Sequence, residues 1–139
     1  MSTPILIETS EELKEHMAVI AEYLSKVSRV SLYGEAISSS YIAVMSNFTF
    51  ARDIKAGLVT PDMLKTLEEY YREYRVRDDT VNTNVYFKPV DIDDLNSVVE
   101  FLSKTDVRHL YHGKKVNKKM VVMFGLHYTY LLALKDQQG

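Results

Sequence analysis

Ile5-Leu6-Ile7-Glu8 opens a pattern that returns later in the chain as Val85-Tyr86-Phe87-Lys88. The first run leads through a helical stretch ending Glu22-Tyr23-Leu24-Ser25-Lys26 into Arg29-Val30-Ser31-Leu32-Tyr33-Gly34. The second leads through a similar stretch ending Glu100-Phe101-Leu102-Ser103-Lys104 into Arg108-His109-Leu110-Tyr111-His112-Gly113. Such self-similarity reads as architecture before it reads as chemistry. It predicts an α/β protein of two degenerate β-α-β-α halves, residues 4–57 and 83–135, that form one small sheet with packed helices. A helical insert, 60–77, joins the halves, and the whole of 1–139 is a single domain.

Local chemistry fills in the elements. Ile5 to Glu8 is short and apolar and reads as a strand. Thr9 followed by Glu12 has the spacing of a capping box. Leu13, Met17, Ile20, Leu24 and Val27 then recur at helical intervals, so one face of that helix is expected to be buried. Arg29 to Tyr33 reads as a second strand. After Gly34, the residues Ile37, Tyr41, Val44, Phe48 and Ala51 predict a helix from Glu35 to about Lys55, stopped near Gly57. Thr60-Pro61-Asp62 is a helix start, with a cap, a proline in the first turn and an acid at the positive end of the dipole. Leu64, Leu67, Tyr71 and Tyr74 form its apolar stripe. Asp78 to Asn84 reads as a turn-rich linker. Val85 to Phe87 is a strand ended or placed at an edge by Pro89. Asp91 is expected to cap a helix that buries Leu95, Val98, Val99 and Leu102, and Val107 to Tyr111 is the matching strand. Residues 114–135 are open between helix and hairpin. The parallel with the first half favours helix, whereas Met120 to Phe124 is rich in strand formers.

Composition sets the boundaries. The chain has 139 residues, 46% apolar and 26% charged, enough for a real core and normal for a folded globular domain. It contains no cysteine, which excludes disulfides, thiolate nucleophiles and cysteine metal sites. The first residues lack a basic region followed by an apolar run, and Met120 to Leu134 is interrupted by Gly125, His127 and Thr129. No secretory signal or membrane span is expected, and a cytoplasmic location fits. The net charge is −2 but uneven: residues 1–79 hold nine basic and thirteen acidic side chains, and residues 80–139 hold eight and six. The second part can therefore carry a local basic surface.

That surface has an obvious candidate. Gly113-Lys114-Lys115-Val116-Asn117-Lys118-Lys119 places four lysines in one short run with Arg108 and His112 nearby. On a helix Lys114 shares a face with Lys118, and Lys115 with Lys119. Such a patch would neutralise phosphates without reading sequence; the bland alternative is a solvated face that keeps an apolar terminal segment in water.

The first half carries a resemblance. Strand, amphipathic helix and strand, followed by Gly34-Glu35-Ala36-Ile37 opening a further helix, resemble the Alba family of small nucleic-acid-binding proteins. The resemblance covers about a third of the chain and implies nucleic-acid binding. That family places a lysine soon after its Ala-Ile, where this chain has Ser38, Ser39 and Ser40, so the basic role would pass to Lys114, Lys115, Lys118 and Lys119 in the second copy. Strand, Gly34-x-Ala36-x-Ser38 and helix is also similar to the sugar-phosphate-binding turn of the sugar isomerase domain family. That resemblance implies a phosphate cradled by backbone N–H groups at a helix start with the hydroxyls of Ser38, Ser39 and Ser40.

Ten tyrosines and no tryptophan complete the picture. Tyr70, Tyr71 and Tyr74 lie beside Arg72, Arg75 and Arg77, a combination suited to base stacking with phosphate contact or to anchoring a protein partner. Packing of the helix on the sheet accounts equally for Tyr71 and Tyr74. His109 and His112 fall on opposite faces of an expected strand, and His16 and His127 stand apart from any other histidine in sequence. No metal-ligand set and no catalytic base or nucleophile emerges, and no cofactor is implied. The sequence thus predicts a small non-enzymatic protein that binds nucleic acid or a nucleic-acid-bound partner. A phosphate-ligand protein and a protein-interaction module acting through the tyrosine- and arginine-rich helix are the alternatives. Self-association is left open.

Overall fold

The computed structural model describes residues 2–27, 38–104 and 116–139. The expected strands at 29–33 and 107–111 lie outside the described residues, as do Gly34, Arg108, His109, His112, Lys114 and Lys115. The described elements follow the order β1 (Thr3–Thr9), α1 (Glu11–Val27), α2 (Ser39–Lys55), α3 (Pro61–Arg75), β2 (Val81–Phe87), α4 (Pro89–Lys104) and α5 (Lys118–Gln138). This is a small mixed α/β fold, with helices packed on a two-stranded sheet.

The strands pair antiparallel, with Ile5 opposite Val85 and Ile7 opposite Thr83. Alternation turns Ile5, Ile7, Thr9, Val85 and Phe87 into the core and leaves Pro4, Leu6, Asn82, Asn84 and Tyr86 exposed, as a period of two demands. β2 is longer than its sequence suggests. Asn82, Thr83 and Asn84 have turn chemistry, yet they continue the ladder because β1 offers partners along its whole length. The Thr9 and Thr83 hydroxyls bond at 2.9 Å, and Thr9 also donates to the Val81 carbonyl.

Thr9 is therefore a strand residue, and the cap of α1 is Ser10. Its hydroxyl accepts from the Leu13 amide at 3.0 Å, while Leu13, Met17, Ile20 and Leu24 face the core as expected and Val27 is exposed. β2 stops at Phe87, just before Pro89, as expected, and Pro89 also opens the next helix. It sits in the first turn of α4, where its missing N–H costs nothing, and the Lys88 carbonyl accepts from the Asp91 and Ile92 amides. Asp91 then favours the positive end of the helix dipole without being its cap. Leu95, Val98 and Leu102 are buried on α4. In α3 the expected stripe of Leu64, Leu67, Tyr71 and Tyr74 is the buried one, and Thr60 accepts from the Met63 amide at 3.2 Å.

The C-terminal ambiguity resolves as helix. Asn117 caps α5 by accepting from the Met120 amide at 2.9 Å, and the run Met120 to Leu126 is buried on every side. A helix that is apolar all round belongs in the middle of a protein, and α5 packs against α1, α2, α3, α4 and β1. Its closest neighbour is α2, whose buried face differs from the expected one. Ile42, Ala43, Ser46, Asn47, Phe50, Ala51 and Asp53 face inward, while Phe48 is 46% exposed. The cause is Gly125, at which an added Cβ would stand 3.4 Å from the Asn47 backbone and the Ser46 carbonyl. So close an approach selects small residues on the facing helix over the large apolar ones. Among the described residues, no helix is long and apolar enough to cross a membrane.

Candidate functional site

The cations singled out by the sequence have different surroundings. Lys118 and Lys119 form the first turn of α5, which contains no acidic residue. Lys118 is exposed. Lys119 reaches Glu8 of β1 at 2.6 Å, and both side chains are partly buried. Two ammonium groups at the positive end of a helix dipole oppose the usual preference for acids there. The arrangement concentrates positive potential at one end of the rod.

The arginines of α3 divide. Arg72 binds Glu68 through Nη2 at 2.6 Å and Nε at 3.1 Å, and Glu68 is 6% exposed. Arg77 forks between Glu12 at 2.5 Å and Asp79 at 2.6 and 2.8 Å, and these bonds raise its already high pKa while lowering that of Asp79. Both arginines hold the structure together. Arg75 instead lies 5.8 Å from the centre of the Tyr71 ring. The Tyr71 phenol is raised in pKa mainly by burial, and both Lys119 and Arg75 act on it in the opposite sense. Arg75 from α3 and Lys119 from α5 thus both act electrostatically on Tyr71, and Glu8 acts on it in the opposite sense.

The tyrosines look inward. Tyr71 and Tyr74 are buried; Tyr71 packs edge-on against Phe124, and the Tyr74 hydroxyl donates to Ser10 at 3.0 Å. Tyr70 stacks on His127, with ring centres 3.7 Å apart and planes 3° from parallel. None of the three rings is presented for a base to stack on.

The serines are likewise in structural use. Ser38 caps α2 by accepting from the Tyr41 amide at 3.1 Å. Ser40 accepts from the Tyr86 amide at 3.0 Å, tying the first turn of α2 to β2. Ser39 is exposed and borders an open groove lined also by Lys14, Met17, Ala18, Ala21 and Ile42.

Sequence reasoning missed a polar cluster that only tertiary structure assembles. The ring of His16 of α1 lies 3.8 Å from that of Tyr130 of α5 with the planes tilted by 30°, and 6.4 Å from Tyr70 of α3. His127 of α5 stacks on Tyr70. The Nδ1 atoms of both histidines and the Tyr70 hydroxyl are buried without a hydrogen-bond partner among the described residues. Burial pushes the Tyr70 phenol well up and the His127 imidazole down to about 4, with His16 adding to the latter. The signal available in the sequence was the placement of His127 in an apolar helix and of His16 beside the buried Met17. Nothing in their spacing shows that they meet. A second buried network joins α2 to α5: Tyr128 donates to Asp53 at 2.6 Å, and Arg52 donates to the other carboxylate oxygen at 3.1 Å.

Among the described residues, no group of three or more His, Cys, Asp or Glu side chains is placed to hold a metal ion. Set against known protein families, curated proteins and solved structures, the chain finds no match in any of the three.

Proposed function

We propose that this is a non-enzymatic nucleic-acid-binding protein that holds the phosphate backbone at the amino end of α5. The contacts are Lys114, Lys115, Lys118 and Lys119, with Arg108, extended by Arg75 of α3. Arg72 and Arg77 belong to the scaffold. The observation that carries this reading is the first turn of α5, which holds Lys118 and Lys119 and no acid, with Arg75 of α3 and Lys119 both acting electrostatically on Tyr71. A helix terminus with unsatisfied N–H groups and flanking ammonium groups attracts phosphate, and such contacts position a nucleic acid without reading its bases. Glu8 competes for Lys119 in the free protein, so binding involves exchange of a carboxylate for a phosphate.

The phosphate-ligand alternative at Gly34 to Ser40 is weaker, because the Tyr41 amide at the start of α2, which a phosphate would need, already donates to the Ser38 hydroxyl, and Ser40 is tied to β2. The alternative of docking through α3 is weaker too, because its tyrosines are turned inward. Electrophoretic shift with mixed-sequence duplex DNA and single-stranded RNA tests the proposal. Binding should weaken steeply with salt, and changing Lys114, Lys115, Lys118 and Lys119 to Ala should lower the slope of log K against log salt by about 0.9 per lost duplex phosphate contact. No shift of either nucleic acid at low salt, or a slope unchanged in the fourfold variant, would defeat it.

A further inference from the structure

α3 is held differently from the other helices. Its substantial packing is against α5, through Tyr71 on Phe124 and Tyr70 on His127. Polar bonds to α1 and its cap supplement this, from Tyr74 to Ser10 and from Arg77 to Glu12. The seam where α1, α3 and α5 meet contains two imidazoles, His16 and His127, each with a buried Nδ1 that has no partner. Buried polar groups are nearly always satisfied, and an imidazole that gains a proton there gains a charge in a buried seam where its Nδ1–H has no acceptor among the described residues.

We infer that this junction is an acid-released latch: protonation of His127, and with it His16, frees α3 from α5 while the remainder of the fold persists. The groups around the pair set the direction. From α1, Glu12 lies 3.7 Å from His16 Nε2 and favours its charged form, as does Glu15. Burial, the largest influence, and Arg77, after α3, together outweigh the two acids, so His16 is lowered. From α3, Tyr70 covers His127 with a neutral ring whose phenol burial keeps protonated, and Tyr74 lies against Tyr70. From α5 itself, Tyr130 meets His16 at a tilt and His127 edge-on. α2 faces α5 with Asp53, whose carboxylate is already taken by Tyr128 and Arg52. For His127 the acid Glu12 acts, but less than burial and His16 together.

The sign follows from linkage. A histidine whose pKa is about 6.5 when free and about 4 in the closed junction binds its proton preferentially in the open state. The closed state is fully favoured above pH 6.5 and loses ground as pH falls toward 4. Between pH 7 and pH 5 this single group raises the opening constant roughly twentyfold, and His16 adds in the same direction.

Hydrogen exchange on the intact protein at pH 7 and pH 5, corrected for the intrinsic pH dependence of amide exchange, tests the latch. Amides of α3 should lose protection by roughly twentyfold or more, with α4 amides nearly unchanged. The variant His127→Phe keeps a ring against Tyr70 and removes the titrating group; its α3 amides should show only the smaller change due to His16. Equal protection of α3 at the two pH values overturns the inference. So does loss of protection in α3 and α4 together, or full pH sensitivity retained in His127→Phe. If that variant does not fold, the comparison of α3 with α4 in the unmodified chain decides alone.

Discussion

Tyr128 shows how much rests on single polar atoms in this core. It is 4% exposed and its hydroxyl donates to Asp53, itself 5% exposed. Burial raises the phenol's pKa, and the bond to the carboxylate raises it further, so the hydroxyl remains a donor throughout the ordinary pH range. Tyr128→Phe removes that donor while Arg52 keeps its bond to the other oxygen. Hydrogen bonds to charged groups are worth more than neutral ones, and a loss of about 1.5–3 kcal/mol is expected in urea unfolding at neutral pH. A loss below about 0.5 kcal/mol would mean that solvent replaces the phenol freely. The Lys119–Glu8 pair makes the opposite case. The partners keep 34% and 26% of their side-chain exposure, so Lys119→Ala should cost no more than about 1 kcal/mol in the same assay, while weakening phosphate binding. At this scale the sequence was legible where a side chain acts on its own helix. Thr60, Pro61 and Asp62 announce the start of α3 correctly because cap and dipole are local. His16, Tyr70, His127 and Tyr130 come from three helices, and no spacing in the chain declares their meeting.

The contact between α2 and α5 shows why helical periodicity can identify a helix and misplace its buried face. Tyr41, Val44 and Phe48 form an apolar stripe on α2, yet the face turned inward includes Ser46, Asn47 and Asp53 along with Ile42, Ala43, Phe50 and Ala51. Periodicity weighs transfer free energy; it does not register that Gly125 lets two backbones approach. Where they approach, small and polar residues fit, and Thr129 bonds to the Gly125 carbonyl at 2.9 Å. The consequence can be measured. Gly125→Ala adds a methyl at 3.4 Å from Asn47 and Ser46 backbone atoms, an ordinary contact, and gains the helix preference of alanine over glycine, up to about 1 kcal/mol. Its stability should fall within about 1 kcal/mol of the unmodified protein. Gly125→Leu must force α2 away from α5 and should cost about 1–3 kcal/mol or more through overpacking. If leucine were tolerated as well as alanine, close packing would not be what selects the polar face of α2. The same limit of local reading explains β2. Asn82-Thr83-Asn84 has the composition of a turn and becomes strand because β1 supplies the ladder, a cross-chain fact that the segment does not contain.

At the scale of the whole molecule, the two parts of the sequence depend on each other. β1 belongs to the first and β2 to the second, so each part alone holds one described strand with no described partner, and the pairing of Ile5 with Val85 exists only across them. The core is one cluster that runs from Ile5 and Met17 through Phe50, Leu67 and Phe87 to Phe124 and Tyr128. α5, apolar on all sides, is surrounded only when elements from both parts are present. This is why the sequence of Met120 to Leu134 could be read as helix or hairpin: its first part, Met120 to Leu126, is buried on every side and has no solvent side to betray its period. Separate peptides 1–77 and 78–139 should therefore each lack cooperative thermal unfolding and dispersed amide spectra. A lone strand with one apolar face is not stable in water, and an isolated α5 exposes the apolar surface that drives association. Mixed at equal concentration, the two peptides should recover a cooperative transition whose midpoint rises with concentration, since folding is then coupled to binding. A cooperative fold in either peptide alone would show that the shared sheet and the α2–α5 contact are not what stabilise the structure. The proposed phosphate surface depends on the same union, because Glu8 comes from the first strand, Arg75 from α3, and Lys118 and Lys119 from the last helix. Nucleic-acid binding should then appear in the mixture and in neither peptide at matched salt and low protein concentration.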